Sequence, residues 1–190
     1  MTLKHMVILA AGLALMTTGA VAATHLYEDP NGWVTTAVSY SNPPKFTDQE
    51  LSLDLFGSYI HPEEKFSHLF QTNIRHDGTW GGGVGLNYFF AKYVGIGADI
   101  EMGANGGLFV DQALGNLFLR LPIESAGLAP YVFGGGGRGF DPSWQWLWDG
   151  GVGLEFRFNP VTGLFVDGRY VWAEKTSDAL YLRAGLRLVF

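Results

Sequence analysis

The fold of this 190-residue chain is decided by the stretch from Ala179 to Phe190, which reads A-L-Y-L-R-A-G-L-R-L-V-F. One set of alternate positions is apolar: Leu180, Leu182, Ala184, Leu186, Leu188 and Phe190. The intervening positions include Arg183 and Arg187. Because successive side chains of a β-strand point to opposite sides, this period of two predicts a strand with one apolar and one polar face.

The same alternation recurs in seven segments that precede this stretch. The eight predicted strands span about 50–60, 79–90, 93–103, 112–123, 129–138, 148–158, 164–172 and 179–190. A tilted strand of about 9–11 residues crosses the hydrocarbon of a bilayer, and single-chain bacterial barrels have an even strand number. The sequence therefore predicts an all-β fold, an eight-stranded antiparallel up-and-down transmembrane β-barrel.

The polar strand face carries ten charged residues, and none of them is a lysine. They are Asp54, Asp99, Glu101, Arg120, Glu155, Arg157, Asp167, Arg169, Arg183 and Arg187. Arginine suits multidentate pairing with carboxylates in a confined space. We therefore expect an ion-pair network inside a narrow lumen, where inward glycines such as Gly151 and Gly153 make room for arginines. The Gly134–Gly137 run leaves the fifth strand without a clear phase, and we expect Tyr131 and Phe133 to point outward.

Aromatic residues lie near the ends of the predicted strands, as in an interfacial aromatic belt. The belt residues are Tyr59, Trp80, Phe90, Tyr93, Trp148, Phe158, Tyr170, Trp172 and Phe190. The alternative is that aromatic residues are simply favourable in strands. Connections at 91–92, 124–128 and 159–163 are short and alternate with longer ones, so the short turns are expected to face the periplasm.

The N-terminal region has the features of an exported protein. Residues 1–22 combine Lys4, an apolar stretch and the small residues Ala20-Val21-Ala22, which predicts a signal peptide that is cleaved after Ala22. Residues 23–49 are expected to form an irregular extension with one short strand around Trp33 to Tyr40. Whether this extension plugs the barrel, lies in the periplasm or is disordered stays open. The net charge of −6 argues against nucleic acid as a partner, and the lack of cysteine excludes disulfides.

Other residue patterns in the chain are compared with known kinds of binding and catalytic site. Gly134-x-Gly136-x-x-Gly139 matches a dinucleotide fingerprint but lacks the helix that must follow. A hydrolase or metal site could be drawn from His61, Glu63, Glu64, Ser67, His68, His76 and Asp77, yet a loop gives catalytic groups little rigid support. We expect no catalytic, cofactor or metal site. The ten charged lumen residues and the bulky Phe89 and Phe118 argue against an open channel. A separate group, Trp144, Trp146 and Trp148, lies in or beside the third long loop and either binds a partner or anchors the barrel at the membrane interface.

Four stretches together resemble the small eight-stranded outer-membrane barrel family, the transmembrane-domain type of outer-membrane protein A. They are W-G-G-G-V-G-L-N-Y-F-F from Trp80, G-I-G-A-D from Gly95, Y-V-F-G-G-G-G from Tyr131, and the last strand. The resemblance covers about 50–190 and implies an outer-membrane location. It also implies that Leu186, Leu188 and Phe190 form the signal read by the barrel-assembly machinery.

The resemblance further sets expectations about partners and role. It implies contact with outer-membrane lipid and lipopolysaccharide, a monomer, and no peptidoglycan-binding domain after Phe190. The expected role is membrane integrity, or adhesion and recognition through the loops, without enzymatic activity. The alternatives are a lipid A-modifying enzyme of the outer leaflet and a narrow channel.

Overall fold

The computed structural model describes residues 21–28, 34–41, 43–62, 78–103, 110–141 and 143–190. Its ten strands are β1 (Val21–Glu28), β2 (Val34–Ser41), β3 (Glu50–Pro62), β4 (Thr79–Ala91), β5 (Val94–Gly103), β6 (Gln112–Arg120), β7 (Leu128–Gly139), β8 (Gln145–Asn159), β9 (Thr162–Ala173) and β10 (Ala179–Val189). Strands β3 to β10 pair with their sequence neighbours, and β10 pairs with β3, which closes an antiparallel barrel. The predicted fold class is therefore confirmed. The described residues contain no helix that is long and apolar enough to cross a membrane.

Strands β1 and β2 form a separate two-stranded antiparallel sheet. Strand β2 lies close to the short strand expected in the N-terminal extension, whereas β1 was not expected. Strand β1 begins at Val21, just before the predicted cleavage site. The signal peptide stays a prediction, since residues 1–20 lie outside the described residues.

Two strand boundaries differ from the prediction by three residues. Strand β6 ends at Arg120 rather than near residue 123, because the chain turns back through a tight hairpin. In that hairpin the Ile123 amide donates to the Leu128 carbonyl at 2.7 Å, and Gly127 adopts a φ of 66°. Strand β8 begins at Gln145 rather than near residue 148, so that Trp146 belongs to the same strand as Trp148.

The outer wall of the barrel is apolar and the inner wall is polar. Leu182 is 54% exposed and Val152 is 62% exposed, whereas Asp167 and Arg169 on the adjoining strand face are buried. The predicted alternation in the last strand is confirmed throughout. Exposed apolar side chains around a whole barrel are favourable in hydrocarbon and unfavourable in water, so this wall faces lipid.

Strand β7 is the place where the predicted phase was wrong. Tyr131 and Phe133 point inward and are only 4% and 6% exposed, while Val132 faces outward. Tyr131 lies opposite Gly153 of β8, which leaves space for its ring inside the barrel. The Tyr131 hydroxyl then donates a hydrogen bond to Asp167 Oδ2 at 2.8 Å.

The inward glycines accommodate aromatic rings, and the expectation that they make room for arginines was wrong at these positions. A Cβ atom on Gly153 would overlap the Tyr131 ring, and one on Gly151 would overlap the Phe133 ring. The rings lie against the backbone of neighbouring strands, where any side chain would collide with them. Glycine is therefore required here for close approach.

Candidate functional site

The structure places all ten predicted lumen residues inside the barrel, each at most 9% exposed. It adds two buried acids that the sequence interpretation missed, Glu50 and Asp149. These twelve residues fall into two groups. The turn-side cluster comprises Glu50, Asp54, Arg120, Glu155, Arg157 and Arg187, near the short turns. The loop-side cluster comprises Asp99, Glu101, Asp149, Asp167, Arg169 and Arg183, nearer the long connections.

Arg187 joins two acids of the turn-side cluster. Its Nε and Nη2 atoms donate to the two Asp54 carboxylate oxygens at 2.7 and 2.6 Å. Its Nη1 atom donates to Glu155 Oε2 at 2.6 Å. Such bidentate pairing fixes the geometry of the guanidinium as well as compensating its charge.

Glu50 likewise connects two arginines of the turn-side cluster. It accepts hydrogen bonds from Arg120 at 2.8 and 3.1 Å, and from Arg157 Nη2 at 2.6 Å. Arg157 also donates to Glu155 through Nε. The turn-side cluster therefore has three acids and three arginines in one continuous network, with no net charge.

Residues 43–49 cover the turn end of the lumen, and we name this segment the cap. Phe46 is only 2% exposed, and its ring centre lies 5.2 Å from the Arg120 guanidinium and 5.1 Å from that of Arg157. Two buried guanidinium groups against one ring are a favourable cation–π arrangement. The sequence interpretation assigned this segment to the irregular extension and gave Phe46 no role.

Hydrogen bonds hold the cap against two of the short turns. The Lys45 amide donates to Glu124 Oε2 at 3.0 Å, and Asp48 Oδ1 accepts from the Lys92 amide at 2.7 Å. The Lys45 carbonyl accepts from Arg157 Nη1 at 3.2 Å. The cap is therefore attached both to the barrel rim and to the turn-side cluster.

The loop-side cluster contains two strong ion pairs. Arg169 donates to both Asp99 oxygens at 2.8 and 2.6 Å, and Arg183 donates to both Asp167 oxygens at 2.7 and 2.9 Å. Arg183 also lies 3.5 Å from Asp99, which connects the two pairs.

The other two acids of the loop-side cluster are poorly compensated. Glu101 accepts a hydrogen bond from Ser58 through Oε1, but its Oε2 has no hydrogen-bond partner among the described residues. Asp149 lies 3.2 Å from Arg169 Nε without hydrogen-bonding geometry, and both of its oxygens are unpartnered within that same part of the chain. Four acids thus face two arginines, a formal charge of −2.

Apolar side chains fill the space that the ion pairs leave. Phe89, Phe118, Tyr131 and Phe133 form one buried cluster, in which Phe118 and Phe133 stack with ring centres 5.4 Å apart. Leu114, Leu147, Val171, Ala179 and Tyr181 form a second cluster near the loop end. The cavity between the two ion-pair clusters, lined by Asp54, Asp99 and Arg187 among others, has a volume of about 10 Å³. This is about the space that one water molecule needs.

The predicted belt residues all lie on the outward face or at the strand ends. Phe90, Tyr93, Phe158 and Phe190 are near the turn end, and Tyr59, Trp80, Trp148, Tyr170 and Trp172 are near the loop end. Tyr59 packs on Trp80 with ring centres 5.2 Å apart, and Tyr170 packs on Trp172 at 4.9 Å. Leu186, Leu188 and Phe190 also face outward, and their role in assembly stays a prediction.

All but one of the catalytic and metal candidates near the first long loop lie in a part of the chain that the structure does not describe. Glu63, Glu64, Ser67, His68, His76 and Asp77 lie outside the described residues, and His61 is exposed near the end of β3. Over the described ranges, no group of three histidines or acids could hold a metal ion. The glycines of the dinucleotide-like pattern lie in β7, where Gly134 pairs with Gly150 and Gly136 pairs with Trp148.

A simple signal could have found the two missed acids. Glu50 lies two residues before Ser52 and four before Asp54, and Asp149 lies two residues before Gly151. Both therefore continue the inward phase of their strands by one repeat. They were missed because the faces of these two predicted strands were assigned only from Leu51 and from Gly151 onward.

Comparison with known proteins supports the fold alone. No protein-family model matches the chain, and no curated protein sequence matches it. The N-terminal β-barrel domain of Pseudomonas aeruginosa OprF is similar over 76% of this chain and 99% of that chain, at 13% identity and a TM-score of 0.54. Ail of Yersinia pestis is similar over 75% and 99%, at 14% identity and a TM-score of 0.52.

Neisserial surface protein A is a third similar structure. It matches over 74% of this chain and 97% of that chain, at 10% identity and a TM-score of 0.51. In each case almost the whole of the other barrel is covered, so the agreement extends to all eight strands. The chain therefore has the fold of the small eight-stranded outer-membrane β-barrels.

Proposed function

We propose that this chain is a closed, non-conducting barrel of the outer membrane that contributes to the integrity of the envelope. The observation that carries the proposal is the filling of the lumen. The cap, the turn-side cluster, the loop-side cluster and the apolar cluster around Leu114 follow one another along the barrel axis. A structural barrel needs no transport path, whereas a channel needs a continuous one.

Planar-bilayer conductance tests this proposal directly. The folded barrel is first identified by gel mobility, since a closed barrel resists detergent and the unboiled band migrates faster than the boiled one. We expect no conductance steps from such material. Regular, voltage-independent steps from the purified barrel would contradict the proposal and favour the narrow channel.

A cellular measurement tests the envelope role. Cells that lack the gene are expected to become more sensitive to detergents and large antibiotics, and wild-type expression should restore resistance. We expect unchanged lipid A mass spectra in the same cells, because the proposal assigns no enzymatic activity. A shift in lipid A mass that depends on the gene would favour the lipid A-modifying alternative.

A second candidate role, recognition through the loops, is favoured by an aromatic pair at the loop end. Trp144 is 67% exposed and packs edge-on against Phe140, with ring centres 5.1 Å apart. Lys175 Nζ donates to the Trp144 carbonyl at 3.1 Å, which orients this exposed pair. Exposed, oriented aromatic side chains are common at sites of protein recognition.

Attachment assays would test loop recognition. Cells expressing the Trp144→Ala variant should adhere less to host-cell monolayers than cells expressing the wild type. Trp80→Ala is the matched control, because Trp80 is similarly exposed at 70% but belongs to the aromatic belt on the barrel wall. Equal adhesion of all three strains would remove this candidate.

A further inference from the structure

Arg138 occupies an unusual position on the barrel wall. Over the described parts of the eight barrel strands, it is the only charged residue on the outward face. It lies one residue before the loop end of β7 and pairs across strands with Trp146. A charge on the lipid face is costly at the bilayer centre and tolerated near the interface.

Arg138 is held in place by an aromatic ring. Its guanidinium carbon lies 3.6 Å from the ring centre of Trp146, which is close cation–π stacking. The described carboxylates form no ion pair with Arg138, in contrast to the five lumen arginines. Its guanidinium is therefore oriented by the Trp146 ring, and no described carboxylate occupies its hydrogen-bond donors.

A groove on the outer wall adjoins this residue. Trp146, Trp148 and Trp172 line it together with Ala173 and Glu174, and its volume is about 510 Å³. The three indole side chains are 51%, 65% and 49% exposed. Trp146 is common to the groove and to the Arg138 contact, so that an apolar surface and a cation meet at one place.

The charged side chains around this groove are mixed: Arg138 stacks on Trp146, whereas Asp178 Oδ1 accepts from the amide of the lining residue Ala173 at 3.0 Å. Arg138 is therefore the group that attracts an anionic partner. Lys175 is exposed in the neighbouring connection, and its Nζ lies 3.1 Å from the Trp144 carbonyl. Glu174 is the one acid that lines the groove, and its carboxylate accepts from the Trp146 amide at 3.5 Å. Arginine binds phosphate groups through paired hydrogen bonds, and basic residues beside apolar grooves bind anionic lipid headgroups.

We propose that Arg138 and the tryptophan groove form a binding site for a phosphorylated glycolipid of the outer leaflet. The phosphate binds Arg138, and an acyl chain lies along Trp148 and Trp172. The loop end of the barrel, where the site lies, is the end expected to face outward. The inference rests on the proposed outer-membrane location.

Native mass spectrometry of the folded full-length barrel tests the site. The probes are bis-phosphorylated lipid A, its dephosphorylated form and phosphatidylcholine, each added at equal concentration to the detergent-solubilised barrel. We expect lipid A to be retained and the Arg138→Gln variant to retain it about tenfold less, the loss expected for one charge-assisted contact. The control variant is Lys92→Gln, which removes a cation at the opposite end of the barrel.

Several outcomes would overturn the proposal. Equal retention of lipid A and its dephosphorylated form would exclude phosphate recognition. Equal losses in Arg138→Gln and Lys92→Gln would show unspecific attraction to a cationic surface. A dimer without lipid would show that the groove binds a second copy of the chain. The gel-mobility shift is measured on every variant, so that failure of the barrel itself is distinguished from failure of the site.

Discussion

The turn-side and loop-side halves of the lumen both bury charged side chains, but they differ in how completely these side chains are paired. In the turn-side cluster three acids meet three arginines, and none of these six side chains has an unpartnered polar atom within the described residues. In the loop-side cluster four acids meet two arginines, and Glu101, Asp149 and Arg169 each have at least one unpartnered atom. Buried charges are costly unless paired, so the turn-side cluster should contribute more to stability than the loop-side cluster.

Removing Arg187 should have the largest effect. Arg187→Ala leaves the carboxylates of Asp54 and Glu155 buried without their arginine, and we expect a loss of about 3–5 kcal/mol in the free energy of unfolding. Urea unfolding of the barrel in lipid vesicles, followed by tryptophan fluorescence, measures this loss. Lys92→Ala is the control and should change stability by about 0.5 kcal/mol or less. Equal unfolding midpoints for the two variants would contradict a stabilising role for the turn-side cluster.

Removing the Phe46 ring should have the next largest effect. Phe46→Ala leaves a void against Arg120 and Arg157, and we expect a loss of about 3 kcal/mol. The same variant tests whether the cap closes the lumen, since opening the turn end should increase proton leakage through vesicles that contain the barrel. Unchanged stability would show that the cap rests on the barrel without supporting it.

Removing the Tyr131 hydroxyl should have an intermediate effect. Tyr131→Phe deletes the 2.8 Å hydrogen bond to Asp167, which keeps its Arg183 partner, and we expect a loss of about 1.5 kcal/mol. Tyr181→Phe is a matched variant, because the Tyr181 hydroxyl lies 3.5 Å from Gln112 Oε1 and makes a weaker contact. Guanidinium unfolding curves should therefore separate the two variants, and coincident curves would remove the special role of Tyr131.

Neutralising Glu101 should have the smallest effect on stability, and it allows a direct comparison with an acid of the turn-side cluster. Glu101→Gln removes a charge that no arginine pairs directly, so that stability should change by only about 0.5 kcal/mol or increase. Glu155→Gln is the isosteric counterpart in the turn-side cluster, where Arg157 and Arg187 both depend on the carboxylate. If the Glu101 variant were the less stable of the two, the distinction between the halves of the lumen would be wrong.

The sequence predicted the strand faces well wherever the alternation was unbroken. Leu182 and Arg183 were assigned to opposite faces and lie there, because a one-residue change of phase would move every side chain to the other side of the wall. The predicted direction was wrong at Tyr131 and Phe133, which lie next to four consecutive glycines that have no side chain to indicate a face. At that point the facing residues of β8, and not the local pattern, determine which side is inward.

The partners within the lumen could not have been read from the chain. Arg187 and Asp54 are 133 positions apart, and their pairing depends on the contact between β10 and β3 that closes the barrel. The role of the cap could not be predicted from the sequence either, since Phe46 lies in a polar, proline-containing segment without periodicity. Only the position of the arginines around it gives this phenylalanine a buried environment.

The sequence by itself determined an eight-stranded barrel with an apolar wall and a charged interior, because a period of two is a local property of each strand. It also placed arginine, and no lysine, on the predicted inner face. The tertiary structure alone decided which acids are paired, that rings rather than arginines fill the space above the glycines, and that Arg138 faces lipid beside Trp146. These features depend on the register between strands and on barrel closure, which bring together residues that are distant in sequence.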